Sequence, residues 1–285
     1  MAADGRVGAG LSGAATVPTV DPRWLAARVA ADTAARAATL NTLLPELINY
    51  LIETSDHQSG IEIIDLGAGT GANQRWLARR LPFRQRWIHL DHDPIISQSL
   101  PLPDDTMIIN EGVEALPQLL DGSAGHRRLV TCSALLDVLT TAQLDAVCRA
   151  VIDHQVPALF SLTVSGTLAV VPSDPDDQPL LDAFNDHQRR AGHAGPEATS
   201  LASNSLRAAG FRVLCEQTPW QLTASSGQAF VDQVLQERLN AAVAQDPALA
   251  PTAVAWLELR RVQLALGVLQ IELGHWDILT LPSGS

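Results

Sequence analysis

The stretch IEIIDLGAGTG, residues 61–71, joins an apolar run to three closely spaced glycines. It predicts a β-strand that ends in a tight loop, because glycine adopts left-handed backbone conformations and lets a ligand approach the main chain. The next segment, residues 73–81, has the apolar spacing of a helix. Strand, glycine-rich loop and helix in this order predict an α/β protein that binds a nucleoside-containing ligand.

A carboxylate lies where such a ligand would place its ribose. The apolar run 87–90 ends in Asp91, about twenty residues past the loop, where an acid accepts hydrogen bonds from both ribose hydroxyls. Asp65, two residues before Gly67, would repel a pyrophosphate and suits a ligand with an ammonium group. This favours S-adenosylmethionine. Ala72 still satisfies the dinucleotide pattern GxGxxG/A, so an NAD(P)-dependent oxidoreductase remains an alternative.

The chain from residue 61 onward alternates between apolar runs and helical segments. The runs lie at 61–66, 86–90, 106–110, 128–132, 157–164 and 211–216, and a further run spans 268–281. Thr140 with Gln143 forms a capping-box pattern, and Gly210 ends a helix over 196–209. Two more helical segments, at 226–245 and 252–266, precede the last run. This alternation predicts a parallel sheet covered on both faces.

Residues 61–117 resemble the cofactor half of the class I S-adenosylmethionine-dependent methyltransferases. The loop at 65–71 matches the family's first motif, and Asp91 matches its ribose-binding acid. IINEGVEALP, residues 108–117, is similar to the third-strand motif that grips adenine, but Gly112 replaces the usual aspartate. Glu111 or the backbone around Val113 would then take over that contact. Residues 129–139 are similar to the segment that passes the methionine end of the cofactor.

The resemblance implies a Rossmann-like, seven-stranded, mostly parallel methyltransferase sheet with S-adenosylmethionine as cofactor. An N-terminal helical cap and a helical insertion before the last strand lie outside that core. We expect a flexible leader at 1–20, the cap at 21–60 and the methyltransferase domain at 61–282, with the insertion at about 225–266. The expected cofactor-binding residues are Asp65, Gly67, Ala68, Gly69, Gly71, Asp91, His92, Glu111, Gly112, Val113 and Ser133.

Candidate catalytic and substrate residues follow from position. Asp137 comes after the fourth strand, at the ligand-binding edge of an open sheet, and is either a site residue or a helix cap. His187 follows a Pro- and Asp-rich loop and is a second candidate base, although a solvated helix face explains it as well. Trp24, Arg28 and Arg36 recur at helical spacing in the cap, with Asp32 in the same four-residue spacing and on the same face. They are interpreted either as contacts to the cofactor or an anionic substrate, or as part of a solvated salt-bridge face.

The composition argues against several classes of binding partner. The net charge is −12, and all 19 basic residues are arginine, which argues against nucleic acid and excludes lysine nucleophiles. Three widely spaced cysteines indicate neither disulfides nor a metal site. No secretory or membrane-spanning pattern is present, so we expect a cytoplasmic protein without a membrane partner. The oligomeric state is left open.

Together these features predict methyl transfer from S-adenosylmethionine to a small molecule, with oxygen or nitrogen as the favoured acceptor atom. Such a reaction requires a positioned, desolvated nucleophile and needs a base only when that nucleophile carries a proton. A non-catalytic S-adenosylmethionine-binding regulatory protein is the remaining alternative.

Overall fold

The computed structural model describes residues 22–54, 60–94, 105–122 and 127–283. The expected leader at 1–20 lies outside these residues. The core is one eight-stranded sheet with the order β3-β2-β1-β4-β5-β8-β6, and β7 pairs with β8 off this path. The strands are β1 Ile61–Leu66, β2 Gln85–Leu90, β3 Thr106–Ile109, β4 Arg127–Ser133, β5 Ala158–Val171, β6 Arg212–Gln217, β7 Trp220–Leu222 and β8 Gln270–Leu281.

The sheet is parallel over five strands and antiparallel at one side. Strands β1 to β5 run in the same direction, whereas β8 inserts between β5 and β6 in the opposite direction. The strand order reverses between β1 and β4, and open α/β sheets bind ligands at the carboxyl end of such a switch point. The predicted fold class is confirmed, with β7 added as a short extra strand.

Helices cover both faces of the sheet. In the described part of the chain they are α1 Pro22–Ala35, α2 Ala37–Asn41, α3 Leu43–Glu53, α4 Ala72–Leu77, α5 Leu116–Asp121, α6 Thr141–Asp153, α7 Asp177–Gln188, α8 Ala198–Ala208, α9 Gln228–Gln245 and α10 Ala250–Ala265. Helices α5, α6 and α8 pack on one face, and α3 and α4 pack on the other. Helices α7, α9 and α10 form a third apolar cluster with β7 and the first half of β8. None of the helices in the described ranges is long and apolar enough to cross a membrane.

Two expected helix ends are present in the structure. The side chain of Thr140 accepts a hydrogen bond from the Gln143 backbone N–H, and the side-chain oxygen of Gln143 accepts one from the Thr140 backbone N–H, so the capping box at α6 is confirmed. Gly210 follows α8 with φ +87°, a conformation that suits glycine after a helix. These local interactions fix the lengths of the helices that lie between sheet strands.

Strand β5 is longer than expected and irregular. It continues to Val171 because antiparallel β8 gives its second half a hydrogen-bonding partner. The register shifts between Phe160 and Thr163, where Leu162 has φ +56°. The Leu162 backbone N–H donates to the buried carboxylate of Asp277 at 2.7 Å, which satisfies the amide displaced from the ladder.

Candidate functional site

The glycine loop after β1 turns sharply. Gly67, Gly69 and Gly71 have φ values of +58°, +54° and +76°, which other residues rarely adopt. Their N–H groups all donate within the protein: to Leu90 at 2.8 Å, to Asp91 at 2.7 Å and to Ala68 at 2.9 Å. The loop is therefore a tight turn with internal hydrogen bonds at the carboxyl end of β1, and none of its three glycine N–H groups is left to bind a phosphate group.

Asp91, at the end of β2, organises the same edge. Its Oδ2 accepts from the Gly69 N–H at 2.7 Å, and its Oδ1 accepts from the Asp93 N–H at 2.9 Å. His92 is exposed, and its Nδ1 lies 3.8 Å from Asp91 Oδ1. Each carboxylate oxygen of Asp91 retains a second lone pair for a ligand hydroxyl.

Asp65 lies buried at the end of β1. Its Oδ1 accepts from Asn73 Nδ2 at 2.7 Å, while its Oδ2 has no hydrogen-bond partner among the described residues. Burial raises the pKa of Asp65 to about 7, opposed by the Asn73 hydrogen bond and the charge of Arg36. A carboxylate left half-paired beside the loop favours a positively charged group from a ligand.

A cavity of about 550 Å³ opens over the glycine loop, where the predicted ribose acid and adenine segment also lie. Its wall includes most of the expected cofactor residues: Gly67, Ala68, Gly69, Asp91, His92, Glu111, Gly112, Val113 and Ser133. Asp65 and Gly71 stand behind this wall. The structure thus brings residues from four strand ends, β1 to β4, to one cavity.

The adenine segment contributes Glu114 to the cavity wall in addition to the expected Glu111. Glu114 lines the cavity, and its Oε1 accepts from Gln143 Nε2 at 2.8 Å. A Cβ at position 112 would collide with the carboxylate of Glu114. Gly112 therefore leaves room for the Glu114 side chain, a cavity carboxylate that was not among the expected cofactor-binding residues.

The first helix closes one side of the cavity. Trp24, Leu25, Arg28 and Asp32 of α1 all line it. Arg28 pairs with Asp32 through Nε at 3.0 Å and Nη2 at 3.3 Å. Trp220 Nε1 donates to the same carboxylate at 3.1 Å. Asp32, which the sequence placed in a solvated salt-bridge face, is therefore a fixed wall residue.

Arg36 does not lie with Trp24 and Arg28. It is 2% exposed and lies away from the cavity wall. It donates to Asn73 Oδ1 at 3.0 Å and to Ser161 Oγ at 2.9 Å, and it stacks over Trp76 at 3.5 Å. The expectation of a substrate contact or a solvated position at Arg36 is corrected, because these contacts hold its side chain inside the protein.

The two candidate bases also lie outside the cavity wall. Asp137 is buried beside β5, where its Oδ1 accepts from the Val164 N–H at 3.3 Å, and burial raises its pKa to about 6. His187 lies on α7, and its Nδ1 is buried without a hydrogen-bond partner among the described residues. Neither side chain is placed to touch a ligand in the cavity.

The charge of the cavity is one-sided. Among the described residues, five carboxylates, Asp32, Asp91, Asp93, Glu111 and Glu114, line it together with a single arginine, Arg28. Such a wall attracts cations and repels anions. Within the described ranges no group of three or more His, Cys, Asp and Glu side chains is arranged to hold a metal ion.

No protein-family model and no curated protein matches the sequence. Solved structures with a similar fold include the cyclopropane synthase MmaA2 from Mycobacterium tuberculosis, 12% identical, with 86% of each chain covered and a TM-score of 0.40. An O-methyltransferase family protein from Burkholderia thailandensis is 19% identical, covering 66% of this chain and 58% of that one, with a TM-score of 0.39.

A third similar structure is the plantazolicin methyltransferase BamL in complex with a triazolic desmethylPZN analog and SAH, 10% identical, with 92% of each chain covered and a TM-score of 0.41. Because the identities are low and the TM-scores lie below 0.5, these likenesses do not indicate a function for this chain.

Proposed function

We propose that the protein is an S-adenosylmethionine-dependent methyltransferase that acts on a small molecule at nitrogen or oxygen. The observation that carries the proposal is the cavity over the glycine loop, in which Asp91 bridges the Gly69 and Asp93 N–H groups and keeps lone pairs for a ribose. The wall is acidic, as a ligand with an ammonium and a sulfonium group requires.

Each part of the cofactor has a matching group in the chain. In the proposal Asp91 holds the ribose hydroxyls, and Glu114 and the Val113 backbone face the adenine. The half-paired Asp65 carboxylate lies under the loop and favours the ammonium of the methionine end. Ser133, the last residue of β4, and Ala134 line the cavity, and in the proposal they face the reacting end of the cofactor.

The same contacts argue against a dinucleotide. Binding of a pyrophosphate at this kind of loop needs free backbone N–H groups at the start of a helix. Here the three glycine N–H groups donate within the protein, and one of them donates to the carboxylate of Asp91. A phosphate at this position would lie against a negative charge, so the NAD(P)-dependent oxidoreductase is the weaker alternative.

When bound, the cofactor supplies an activated methyl group. The chain's own part is to align the acceptor with that group, to exclude water and to take a proton where the acceptor carries one. Burial holds the thiol pKa of Cys132 well above its usual value, so this residue is not a thiolate nucleophile. The negative charge and lack of lysine support acceptors other than nucleic acid, and the proposal includes a cytoplasmic location.

Calorimetry with S-adenosylhomocysteine and with NAD in parallel tests the function. We expect a saturable binding isotherm for S-adenosylhomocysteine and none for NAD at the same concentrations. Incubation with methyl-labelled S-adenosylmethionine and a small-molecule extract then tests turnover. Binding without any labelled product would favour a regulatory S-adenosylmethionine-binding protein, and binding of NAD alone would overturn the proposal.

A further inference from the structure

One part of the cavity wall comes from the N-terminal helix and from the segment after β4. Trp24, Leu25, Arg28 and Asp32 come from α1, and Leu135 and Val138 come from the segment after β4. Trp24 packs against Phe230 of α9 with ring centroids 5.7 Å apart. This wall is therefore apolar apart from one ion pair, and helices outside the sheet hold it in place.

In the ion pair between Arg28 and Asp32, the carboxylate is more available to a ligand than the guanidinium. Arg28 places two nitrogens on Asp32, and its guanidinium carbon lies over the Trp220 ring at 5.1 Å. An anionic ligand would have to compete with Asp32 for Arg28. Asp32 is fixed by Arg28 and by Trp220 Nε1 at 3.1 Å, and its oxygens can accept further hydrogen bonds from a ligand.

We propose that the methyl acceptor is a small amine with an apolar body, whose nitrogen is bound by Asp32 and whose apolar part packs against Trp24 and Val138. The five carboxylates of the cavity favour a cationic acceptor over a carboxylate or a phosphate. The proposal rests on the methyltransferase function argued above and adds to it the class of substrate and a residue that contacts it.

Methyl transfer to such an amine requires one proton to leave its nitrogen. A protonated amine gives one proton to the carboxylate of Asp32, and the freed lone pair on nitrogen forms the bond to the methyl carbon. The bond between that carbon and sulfur breaks, and its electron pair stays on sulfur, leaving a neutral thioether and a methylated ammonium product. Burial raises the pKa of Asp32 despite its Arg28 partner, so the carboxylate accepts a proton more readily than an exposed aspartate would.

Matched probes test the substrate class by binding alone. The protein is saturated with S-adenosylhomocysteine and titrated calorimetrically with ethylamine, benzylamine and 2-naphthylmethylamine. For each amine, the alcohol and the carboxylate that carry the same apolar group are titrated in parallel. At least one amine should bind tenfold or more tightly than its matched carboxylate. If no amine does so, the proposal is wrong.

Variants test the residue. In Asp32→Asn we expect affinity for the best amine to fall at least tenfold, while affinity for S-adenosylhomocysteine changes less than twofold. Asp232→Asn is the matched control, because Asp232 also pairs with an arginine, Arg261, but lies on α9 away from the cavity. Retained amine affinity in Asp32→Asn overturns the assignment.

A second variant covers the case in which Asp32→Asn fails to fold. In Arg28→Gln the Asp32 carboxylate loses its cationic partner, so amine affinity should rise or stay unchanged; a tenfold loss would show that Arg28 holds the ligand and would contradict the proposal. The two proposals fail differently. If S-adenosylhomocysteine does not bind, the proposed methyltransferase function is wrong. If it binds but the protein prefers the carboxylate probes, only the proposal of an amine acceptor is wrong.

Discussion

At the scale of single residues, the site depends on two carboxylates with different surroundings. Asp91 is satisfied by two backbone N–H groups and lines the cavity, whereas Asp65 is buried with one oxygen unpartnered among the described residues. Both positions were predictable, because the acids follow a strand and a glycine pattern within a short stretch of chain. Their charge states depend on burial, which the sequence does not show.

The first residue-scale prediction concerns Asp91. In Asp91→Ala we expect affinity for S-adenosylhomocysteine to fall at least tenfold, about 1.4 kcal/mol, because the ribose loses its acceptor and the Gly69 N–H loses its partner. Calorimetry measures the change. Asp145→Ala, which removes an exposed carboxylate paired with Arg149 on α6, serves as control. Unchanged affinity in Asp91→Ala would contradict the role given to this residue.

The protonation of Asp65 should make cofactor binding depend on pH. Burial raises its pKa to about 7, so the carboxyl is largely neutral at pH 6 and largely charged at pH 8. Asp65 does not line the cavity, but its charged form attracts a ligand ammonium through space, so affinity for S-adenosylhomocysteine should rise from pH 6 to pH 8, by at most about tenfold. Calorimetry at several pH values measures the slope. Asp65→Asn should abolish it, and Asp137→Asn should retain it; a slope that survives in Asp65→Asn would assign it to another group.

Asp32 and Arg36 show where residue-scale reasoning from sequence ends. Both belong to the same four-residue spacing in the cap, and helical periodicity alone puts them on one face. The structure separates their side chains, although the Arg36 N–H still donates to the Asp32 carbonyl in the helical pattern. Asp32 lies on the cavity wall, while the Arg36 side chain is buried against Asn73, Ser161 and Trp76. The contacts of each side chain, which helical periodicity does not show, decide which of the two can meet a ligand.

At the scale of elements, Arg36 connects the cap to the sheet. It reaches Asn73 of α4, Ser161 of β5 and, at 3.8 Å, the buried Asp277 of β8. Asp277 also accepts hydrogen bonds from Thr39 at 2.7 Å and from Thr218 at 3.0 Å. Through Asn73, which donates to Asp65, this network supports the glycine loop from below.

Replacement of Arg36 should therefore affect stability and binding together. In Arg36→Met we expect the free energy of unfolding to fall by about 3 kcal/mol, because removing one partner leaves the buried Asp277 without its cation. Urea unfolding measures this loss, and calorimetry should show weaker S-adenosylhomocysteine binding. Arg212→Met is the control: its exposed ion pair with Glu46, at 2.9 Å, should contribute at most about 1 kcal/mol. Equal losses in the two variants would refute the network.

The elements themselves were largely predictable. Strand β1 has the expected bounds, and most other strands and the insertion helices begin and end within two residues of those expected, because continuous apolar runs mark buried strands. The exceptions are elements defined by a partner. Strand β7 has three residues and exists by pairing with β8, and β5 extends for the same reason. Such pairing depends on the position of a strand that is distant in sequence, as in the pair Trp220 and Leu273, which local patterns do not encode.

At the scale of the whole molecule, a polar layer crosses the sheet beneath α4. It contains the hydrogen-bonded Asp65, Asn73 and Thr131, with Thr131 donating to the Leu159 carbonyl at 2.8 Å. His89 pairs in register with Asp65 on the neighbouring strand and is fully buried. Neither of its ring nitrogens has a hydrogen-bond partner among the described residues. A buried histidine without a partner couples folding of the whole chain to pH.

The sign of this coupling follows from the pKa of His89, which burial and the charge of Arg75 lower to about 4. The unfolded chain binds a proton below about pH 6.5, whereas the native protein does not until about pH 4, so the native state loses stability as the pH falls through this window. At pH 5 the loss from this group is about 2 kcal/mol relative to pH 8. It is absent above pH 6.5 or so.

Replacing His89 should remove that loss. In His89→Leu we expect the free energy of unfolding, measured in urea, to fall about 2 kcal/mol less than in the wild type between pH 8 and pH 5. His154→Gln should do the opposite, because the hydrogen bond to Asp121 raises the pKa of His154 and its proton stabilises the native state at low pH. If the free energy of unfolding fell equally in His89→Leu and in the wild type, the prediction would be wrong. The native protein would then bind a proton at His89 without unfolding, and the polar layer would hold an unpaired charge.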